Sequence, residues 1–237
     1  MSSTASVASP SVASEAFLAR CEEAAAEGWR EIHSGAFWSG LRARGLERTT
    51  YVELMAQIFH YTRHNAQNQA LAATTVGSER LPLLRFCLRH ALEEAGHDLM
   101  VLHDLESIGV DPDVVRRSRP LPETQAFVGW LQRACVERDA TARLGYSFWA
   151  ESCYGYIEEL LAAMRRDLSL ANGQMTFFVA HSDVDREHFA EVRRVIAQTC
   201  DSEELRADLL DVLRTSLALT GGILAGVHRA VAGRTPA

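Results

Sequence analysis

The chain has 237 residues, 47% of them hydrophobic and only six of them proline, which suits one well-buried domain and favours helices over strands. The formal net charge of −7 at pH 7 argues against nucleic acid as a main partner, because phosphate binding requires basic surface. No run of Lys and Arg stands out that would anchor the chain to an anionic membrane.

The beginning of the chain and its cysteines indicate a reducing compartment. Residues 1–14, MSSTASVASPSVAS, lack the basic start and apolar run of a signal peptide and are predicted to be a disordered tail before a domain over 15–233. The five scattered cysteines form no CxxC pair, which excludes a thiolate zinc site and a disulfide framework. The most apolar stretch, TSLALTGGILAGV, is too short to span a bilayer. We therefore expect a soluble cytoplasmic protein without a membrane or nucleic-acid partner.

Hydrophobic residues recur at helical spacing along almost the whole chain, and no segment alternates as a strand does. A corner, SGAFWSGLRARGL, separates the first two predicted helices, and RSRPLPE is the clearest loop. The pattern predicts one all-α bundle of about seven helices, without internal repeats. The predicted helices cover 15–33, 50–74, 83–108, a segment from Glu123, 140–168, 175–200 and a segment from DSEEL to 231.

The segment HSDVDREH combines imidazoles and carboxylates within an apolar frame. Each residue advances a helix by about 100°, so the offsets of four and seven place His181, Asp185 and His188 within roughly 60° of one another. Asp183 and Glu187 fall on other faces and are predicted to be solvated. Such a stripe alone is more often core than metal site, and its meaning depends on what faces it.

A second candidate group lies in RHALEEAGHDLM. Glu94 and His97 form the Glu-x-x-His pair that carboxylate-bridged di-metal bundles use, and His90 and Glu93 lie on nearly the same stripe. Glu151 stands in an aromatic and small-residue context, where an unpaired charge would be costly. Each signal is weak by itself, since an isolated Glu-x-x-His is common and Glu151 could pair with an arginine.

Together these helices offer three imidazoles and three carboxylates, a mixed nitrogen and oxygen set that suits two iron ions, or manganese at one site. A further His pair, His60 and His64, could line the same cavity as ligand, hydrogen-bond donor or substrate contact. Tyr154 is a weaker candidate for the substrate pocket. The predicted metal ligands are Glu94, His97, Glu151, His181, Asp185 and His188, with His60, His90 and Glu93 as additional candidates.

These residues resemble a known family. His181-x3-Asp185-x2-His188, with Glu151 thirty residues upstream, is similar to the heme-oxygenase-like diiron oxidases and oxygenases. The early segment IHSGAFWSGLRARGLERTTYVELMAQIFHYT looks like the opening of the related thiaminase-like and PQQ-synthase-like proteins. The resemblance covers nearly all of 30–230 and implies a heme-oxygenase-like helical bundle.

The resemblance also implies a distribution of ligands. Glu151, Asp185 and His188 would hold one iron, and His97 and His181 the other with a further carboxylate. Family members differ in where that carboxylate lies. Glu94 or Glu93 could supply it here, and His90 and His60 stand near other family positions for it, which leaves an extra histidine ligand open.

The activity implied is that of a biosynthetic non-heme diiron oxidoreductase that cycles between Fe(II) and Fe(III) with O2 as cosubstrate. Its substrate would be a small organic molecule, and the expected outcome is N-oxygenation of an amine or amino acid, or desaturation or C–C cleavage of an amino or fatty acid. An external electron donor and a homodimer are expected partners.

Three alternatives remain. A thiaminase-like hydrolase would use Cys135 or Cys153 as nucleophile without metal. A heme oxygenase would need a proximal histidine, for which His33 is the candidate. A non-catalytic helical ligand-binding protein is the third.

Overall fold

The computed structural model describes the backbone of 12–233 and the side chains of 12–179 and 187–233. Within this part of the chain the structure is all-α, with twelve α-helices, two short 3₁₀ turns and no strand. The helices are α1 (Val12–Ser34), α2 (Ala36–Arg44), α3 (Arg48–Thr62), α4 (Asn65–Ala73), α5 (Leu81–Glu93), α6 (His97–Ser107), α7 (Pro112–Arg117), α8 (Pro122–Glu137), α9 (Ala140–Ala150), α10 (Tyr154–Asp167), α11 (Thr176–Thr199) and α12 (Glu203–Ala232).

The predicted all-α class is confirmed, whereas the predicted number of about seven helices is too low. Three segments predicted as single long helices are each interrupted: 50–74 divides into α3 and α4, 83–108 into α5 and α6, and 140–168 into α9 and α10. Gly96 explains the second interruption, because its φ of 100° lies in the left-handed region and ends the α5 helix.

Two further differences concern the beginning of the chain. The predicted glycine-rich corner contains the helix α2, which ends at Gly45 with a φ of 78°. The first helix begins at Val12, within the stretch 1–14 predicted as a tail. The rest of that stretch lies outside the described residues.

Helix α9 lies at the centre of the bundle and packs against α12. Every residue of α9 from Ala140 to Trp149 is buried. The two helices approach so closely that a Cβ at Gly145 would lie 2.2 Å from the backbone oxygen of Leu209. The length and composition of α12 would allow it to cross a membrane, but half of its most apolar window is buried within the bundle. It is therefore best described as the core helix of a soluble helical domain.

A buried carboxylate fixes the start of α11 against α6. Asp104 of α6 is fully buried and accepts hydrogen bonds from the backbone N–H groups of Thr176 and Phe177, at 2.8 and 3.0 Å. The Thr176 hydroxyl donates a third, at 2.6 Å. The first N–H groups of a helix have no acceptor within the helix, and the Asp104 carboxylate accepts hydrogen bonds from two of them. The contact sets the position of α11 relative to the helix that begins with His97.

Candidate metal centre

The candidate ligands lie where helices are interrupted. Glu94 is the C-cap of α5, His97 is the first residue of α6, and Glu151 is the C-cap of α9. Gly96 adopts a left-handed conformation between Glu94 and His97, and Ala150 is the last residue of α9 before Glu151. The turns at Gly96 and after Glu151 therefore end the helices at residues whose carboxylates face the interior.

Three residues from three helices form the most compact cluster. His90 Nε2 lies 3.0 Å from Glu151 Oε1, and His188 Nδ1 lies 3.5 Å from Glu151 Oε2. Each of the three offers a ligand atom within 4.8 Å of the others. Bonds from a first-row metal ion to nitrogen or oxygen are about 2.1 Å long, so ligand atoms around one ion lie roughly 3–4 Å apart. The distances of 3.0 and 3.5 Å from the two imidazoles to Glu151 lie in that range.

A second pair adjoins the cluster. His97 Nδ1 lies 3.5 Å from Glu94 Oε2, and Asn65 Nδ2 donates a hydrogen bond to the same oxygen at 3.1 Å. The other Glu94 oxygen lies 4.0 Å from His90 Nε2. Glu94 therefore joins His97 to the His90 cluster. Tyr146 completes the arrangement, because its hydroxyl donates to Asn65 Oδ1 at 3.3 Å.

Both central carboxylates are ionised in spite of their burial. Burial raises the pKa of Glu151, but hydrogen bonds from His188 and His90 and their charges lower it to about 2. Burial likewise raises the pKa of Glu94, and His97 and His90 bring it below its usual range. Burial lowers the pKa of His97, but Glu94 and Glu151 raise it above its ordinary value. The centre therefore concentrates negative charge, which imidazoles, hydrogen-bond donors such as Asn65 and a bound cation can stabilise.

The residues fit a bound metal ion. His90 is 3% exposed, and its Nδ1 has no hydrogen-bond partner within the described residues. A buried imidazole nitrogen without a partner is rare, and the other ring nitrogen, Nε2, is the one that faces the carboxylates of Glu94 and Glu151. Two buried, ionised carboxylates beside imidazoles are the donors that iron and manganese accept. The donor set excludes a thiolate site of the zinc-finger kind.

The centre opens into a cavity of about 140 Å³ whose walls are mostly aromatic and aliphatic. His90, Glu94, His97 and Glu151 face it at one place. An apolar cavity with a few convergent polar groups is the usual form of a small-molecule site. Among its other lining residues are Trp29, Trp38, Tyr61, Tyr146, Trp149, Tyr154, Phe177 and Phe178.

The remaining candidates fall in different places. Glu93 Oε2 lies 3.6 Å from His188 Nε2, at the edge of the cluster. His181 and Asp185 belong to the helical backbone of α11, but their side chains lie outside the described residues. Tyr154 lines the cavity.

The histidines His60, His64 and His33 lie apart from the cluster in the described contacts. His60 Nε2 is hydrogen bonded to the Ser118 hydroxyl at 2.8 Å, and His64 is the N-cap of α4. Burial lowers the pKa of both. His33 Nε2 is occupied by the carbonyl of Tyr156 at 2.8 Å, which leaves it unsuited to a heme.

Two residues of the site were not predicted as site residues. Asn65 carried a weak signal, since it lies in the polar run RHNAQNQ within the predicted helix over 50–74. Arg143 also lines the cavity and is 2% exposed. The sequence could have indicated it, because Arg143 is the single charged residue in the stretch ATARLGYSFWA.

The comparisons with known proteins agree with this geometry. A family model described as "iron-containing redox enzyme" matches residues 52–221, more than half of the chain. The chain therefore belongs to this family of iron-containing redox enzymes. No curated protein matches it in sequence.

Solved structures identify the fold as heme-oxygenase-like. A domain of unknown function with this fold from Shewanella denitrificans is 36% identical, with a TM-score of 0.87, and the match covers 91% of this chain and 93% of that one. A TenA homologue from Pseudomonas syringae (TM-score 0.77, 15% identical) is matched over 96% of this chain and 100% of its own. A CADD-like protein of unknown function from Nostoc punctiforme (TM-score 0.75, 16% identical) is matched over 93% of this chain and 99% of its own. The last two show the fold alone.

Proposed function

We propose that this protein is a non-heme diiron oxidase or oxygenase that uses O2 to oxidise a small organic substrate in a biosynthetic pathway. The observation that carries the proposal is that His90, Glu94, His97 and Glu151 line one cavity, and that the partly buried His188 lies 3.5 Å from Glu151 beside it. Membership in an iron-containing redox family supports iron as the metal.

The proposed ligands divide into two groups. Glu151 and His188, with Asp185, would hold one iron, and Glu94 and His97, with His181, the other. His90 lies between the carboxylates of Glu94 and Glu151 and is the additional ligand that the structure favours. When bound, the two ions would supply the electrons for O2 reduction, and manganese could replace iron at one site.

The protein's own groups position and protect the reaction. Asn65 holds one oxygen of Glu94 and so fixes the orientation of that carboxylate. The aromatic walls exclude water and bind the apolar part of a substrate. We expect N-oxygenation of an amine or amino acid, or desaturation or C–C cleavage of an amino or fatty acid. An external electron donor, a homodimer and a cytoplasmic location complete the proposal, and five cysteines without a CxxC pair are consistent with that location.

Anaerobic titration with Fe(II), followed by mixing with O2, tests the proposal. We expect about two iron ions per chain and O2 consumption that depends on them. Glu151→Gln should lower the iron content and the O2 consumption, because an amide is a poorer ligand than a carboxylate. Glu158→Gln, an exposed acid on α10, is the matched control. A wild-type chain that binds no iron, or a Glu151→Gln variant with unchanged iron content, would contradict it.

A second candidate is a metal-independent thiaminase-like hydrolase. The observation that favours it is the position of Cys153, which lines the cavity. Cys135 is a poorer nucleophile, because burial raises the pKa of its thiol and it does not line this cavity. This candidate predicts hydrolysis of a thiamin-type substrate that survives chelation and is lost in Cys153→Ala. A wild-type chain without such hydrolysis rules it out.

A further inference from the structure

Arg143 is a charged residue in an unusual place. It lies on the central helix α9, is 2% exposed, and lines the same cavity as Glu94 and Glu151. Burial of a guanidinium is costly unless an anion or a full set of acceptors compensates for it. Arg143 therefore requires an explanation that the metal centre does not provide.

The described partners of Arg143 are all neutral. Its Nε donates to Asn68 Oδ1 at 2.8 Å, its Nη1 donates to the Ser147 hydroxyl at 2.7 Å, and its Cζ lies 4.4 Å from the ring centroid of Tyr146. No carboxylate among the described side chains forms an ion pair with it at 4.0 Å or less. These contacts hold the guanidinium in place and provide no counterion among the side chains of 12–179 and 187–233.

The carboxylate nearest in sequence is engaged elsewhere. Asp139, one turn before Arg143, accepts hydrogen bonds from Arg80 Nη1 at 2.5 Å and Nη2 at 3.1 Å. Asp139 also accepts from the backbone N–H of Thr141 at 2.9 Å. The positive charge at Arg143 is thus separate from the ion pair at the start of the helix.

The cavity is lined by opposite charges. The Arg143 guanidinium reaches the Ser147 hydroxyl, and Glu151 follows Ser147 by four residues at the end of the same helix, a rise of about 6 Å. In the sequence between Arg143 and Glu151, Tyr146 and Trp149 contribute aromatic wall, with ring centroids 5.3 Å apart. A ligand in this cavity would meet a cation, the carboxylate and imidazole cluster, and apolar surface.

We propose that Arg143 binds the carboxylate of the substrate. The substrate class is then a carboxylic acid whose reacting part, several bonds from its carboxylate, lies at the metal centre. This inference rests on the proposed function and narrows it to amino acids and fatty or other organic acids. Guanidinium–carboxylate hydrogen bonds are strong and directional, so Arg143 would also set which atom of the substrate reaches the centre.

The test uses the full chain freed of metal, which separates binding at Arg143 from binding to iron. The probes are acids and their matched primary amides: hexanoate and hexanamide, decanoate and decanamide, phenylacetate and phenylacetamide, L-lysine and L-lysinamide. Titration calorimetry should give at least one acid that binds about tenfold or more tightly than its amide, since a charged hydrogen bond is worth roughly 1.5–3 kcal/mol.

Variants then assign that preference to Arg143. Arg143→Gln should remove it, with a Kd for the acid raised about 10- to 100-fold. Arg143→Lys keeps the charge and should retain part of the preference, which also covers the case that Arg143→Gln does not fold. Arg133→Gln, an exposed arginine on α8, should change nothing. Far-UV circular dichroism checks the fold of each variant.

Three results would overturn the inference: no acid binds, acids and amides bind equally, or folded Arg143 variants keep the full preference. Iron titration reports on the proposed function separately. Acid preference without iron binding would remove the diiron proposal alone, and iron binding without acid preference would remove this inference alone.

Discussion

Helix α12 and the α5–α6 pair both carry glycines within apolar helical sequence, yet only α5–α6 is interrupted. The 30 residues of α12 continue through Gly221, Gly222 and Gly226. Helix α5 ends at Glu93 and α6 begins at His97, with the left-handed Gly96 between them. The same residue type therefore has opposite consequences in the two regions.

The difference lies in what each glycine meets. A Cβ at Gly226 would lie 2.8 Å from Glu123 Oε2, and one at Gly221 would lie 3.2 Å from Ile32 Cγ1, so these glycines allow close packing of a continuous helix. A Cβ at Gly96 would meet nothing within 4 Å, and only its φ of 100° requires glycine. Continuous helices thus form the scaffold, and interrupted helices place carboxylates in its interior.

The largest effect is expected where the continuous helix α12 touches α9. Gly145→Ala should lower the free energy of unfolding by about 3 kcal/mol, because the new methyl group would collide with the backbone of α12 and neither helix can yield easily. Urea unfolding measures it. Gly129→Ala on α8, where a Cβ meets nothing within 4 Å, should instead be neutral or stabilise by up to about 1 kcal/mol. Equal effects would mean that α9 and α12 are not in close contact.

The next largest effect is expected at the interrupted helices. Asn65→Ala removes the amide that holds Glu94 Oε2 and should weaken iron binding about 10- to 100-fold, as loss of a group that orients a ligand usually does. Anaerobic Fe(II) titration measures the affinity. Asn172→Ala, in the exposed 3₁₀ turn, is the control and should bind iron normally. An unchanged affinity in Asn65→Ala would show that Glu94 is held by other contacts or is not a ligand.

A pair of glycine variants separates backbone strain from its effect on the site. Gly96→Ala and Gly109→Ala both place a side chain at positive φ in open space, and each should destabilise the fold by about 1–2 kcal/mol. Only Gly96→Ala should also weaken iron binding, because only Gly96 lies between Glu94 and His97. Thermal unfolding and Fe(II) titration of the two variants test this. Equal iron affinities would contradict a role for the turn at Gly96.

The smallest effect is expected at the start of α9 and depends on pH. Burial raises the pKa of Asp139, but hydrogen bonds from Arg80 and Thr141 outweigh it and lower the pKa below its usual range. A lowered pKa in the folded state stabilises the fold above the unfolded-state pKa of about 3.9, and the benefit is lost as the pH falls through the folded-state value. Asp139→Asn should therefore cost about 1 kcal/mol at neutral pH, since the ion pair is only partly buried.

Urea unfolding from neutral to acidic pH checks the direction. The difference between wild type and Asp139→Asn should shrink below about pH 4. A constant difference across that range would assign the effect to the cap of α9 and not to the charge. Arg133→Gln, which breaks an exposed ion pair on α8, should show little difference at any pH.

The sequence by itself determined the class of the fold and the family. Apolar residues at helical spacing fix which face of each helix is buried, so the all-α class was predictable, as was the Glu94–His97 pair, whose members lie three residues apart. The same holds for Glu151, whose apolar surroundings in sequence marked it as a buried acid. The match to the family of iron-containing redox enzymes confirms the family that the sequence predicted.

Only the tertiary structure decided where the helices stop and which of their residues meet. Periodicity relates residues within one helix and carries no distance between helices, so it could not bring His90 to Glu151 and His188, or leave Arg143 facing the same cavity. The interruption at Gly96 was equally hidden, because glycine continues a helix in α12 and ends one after α5. That outcome depends on the tertiary structure, which gives Gly96 a positive φ and packs other helices against the glycines of α12.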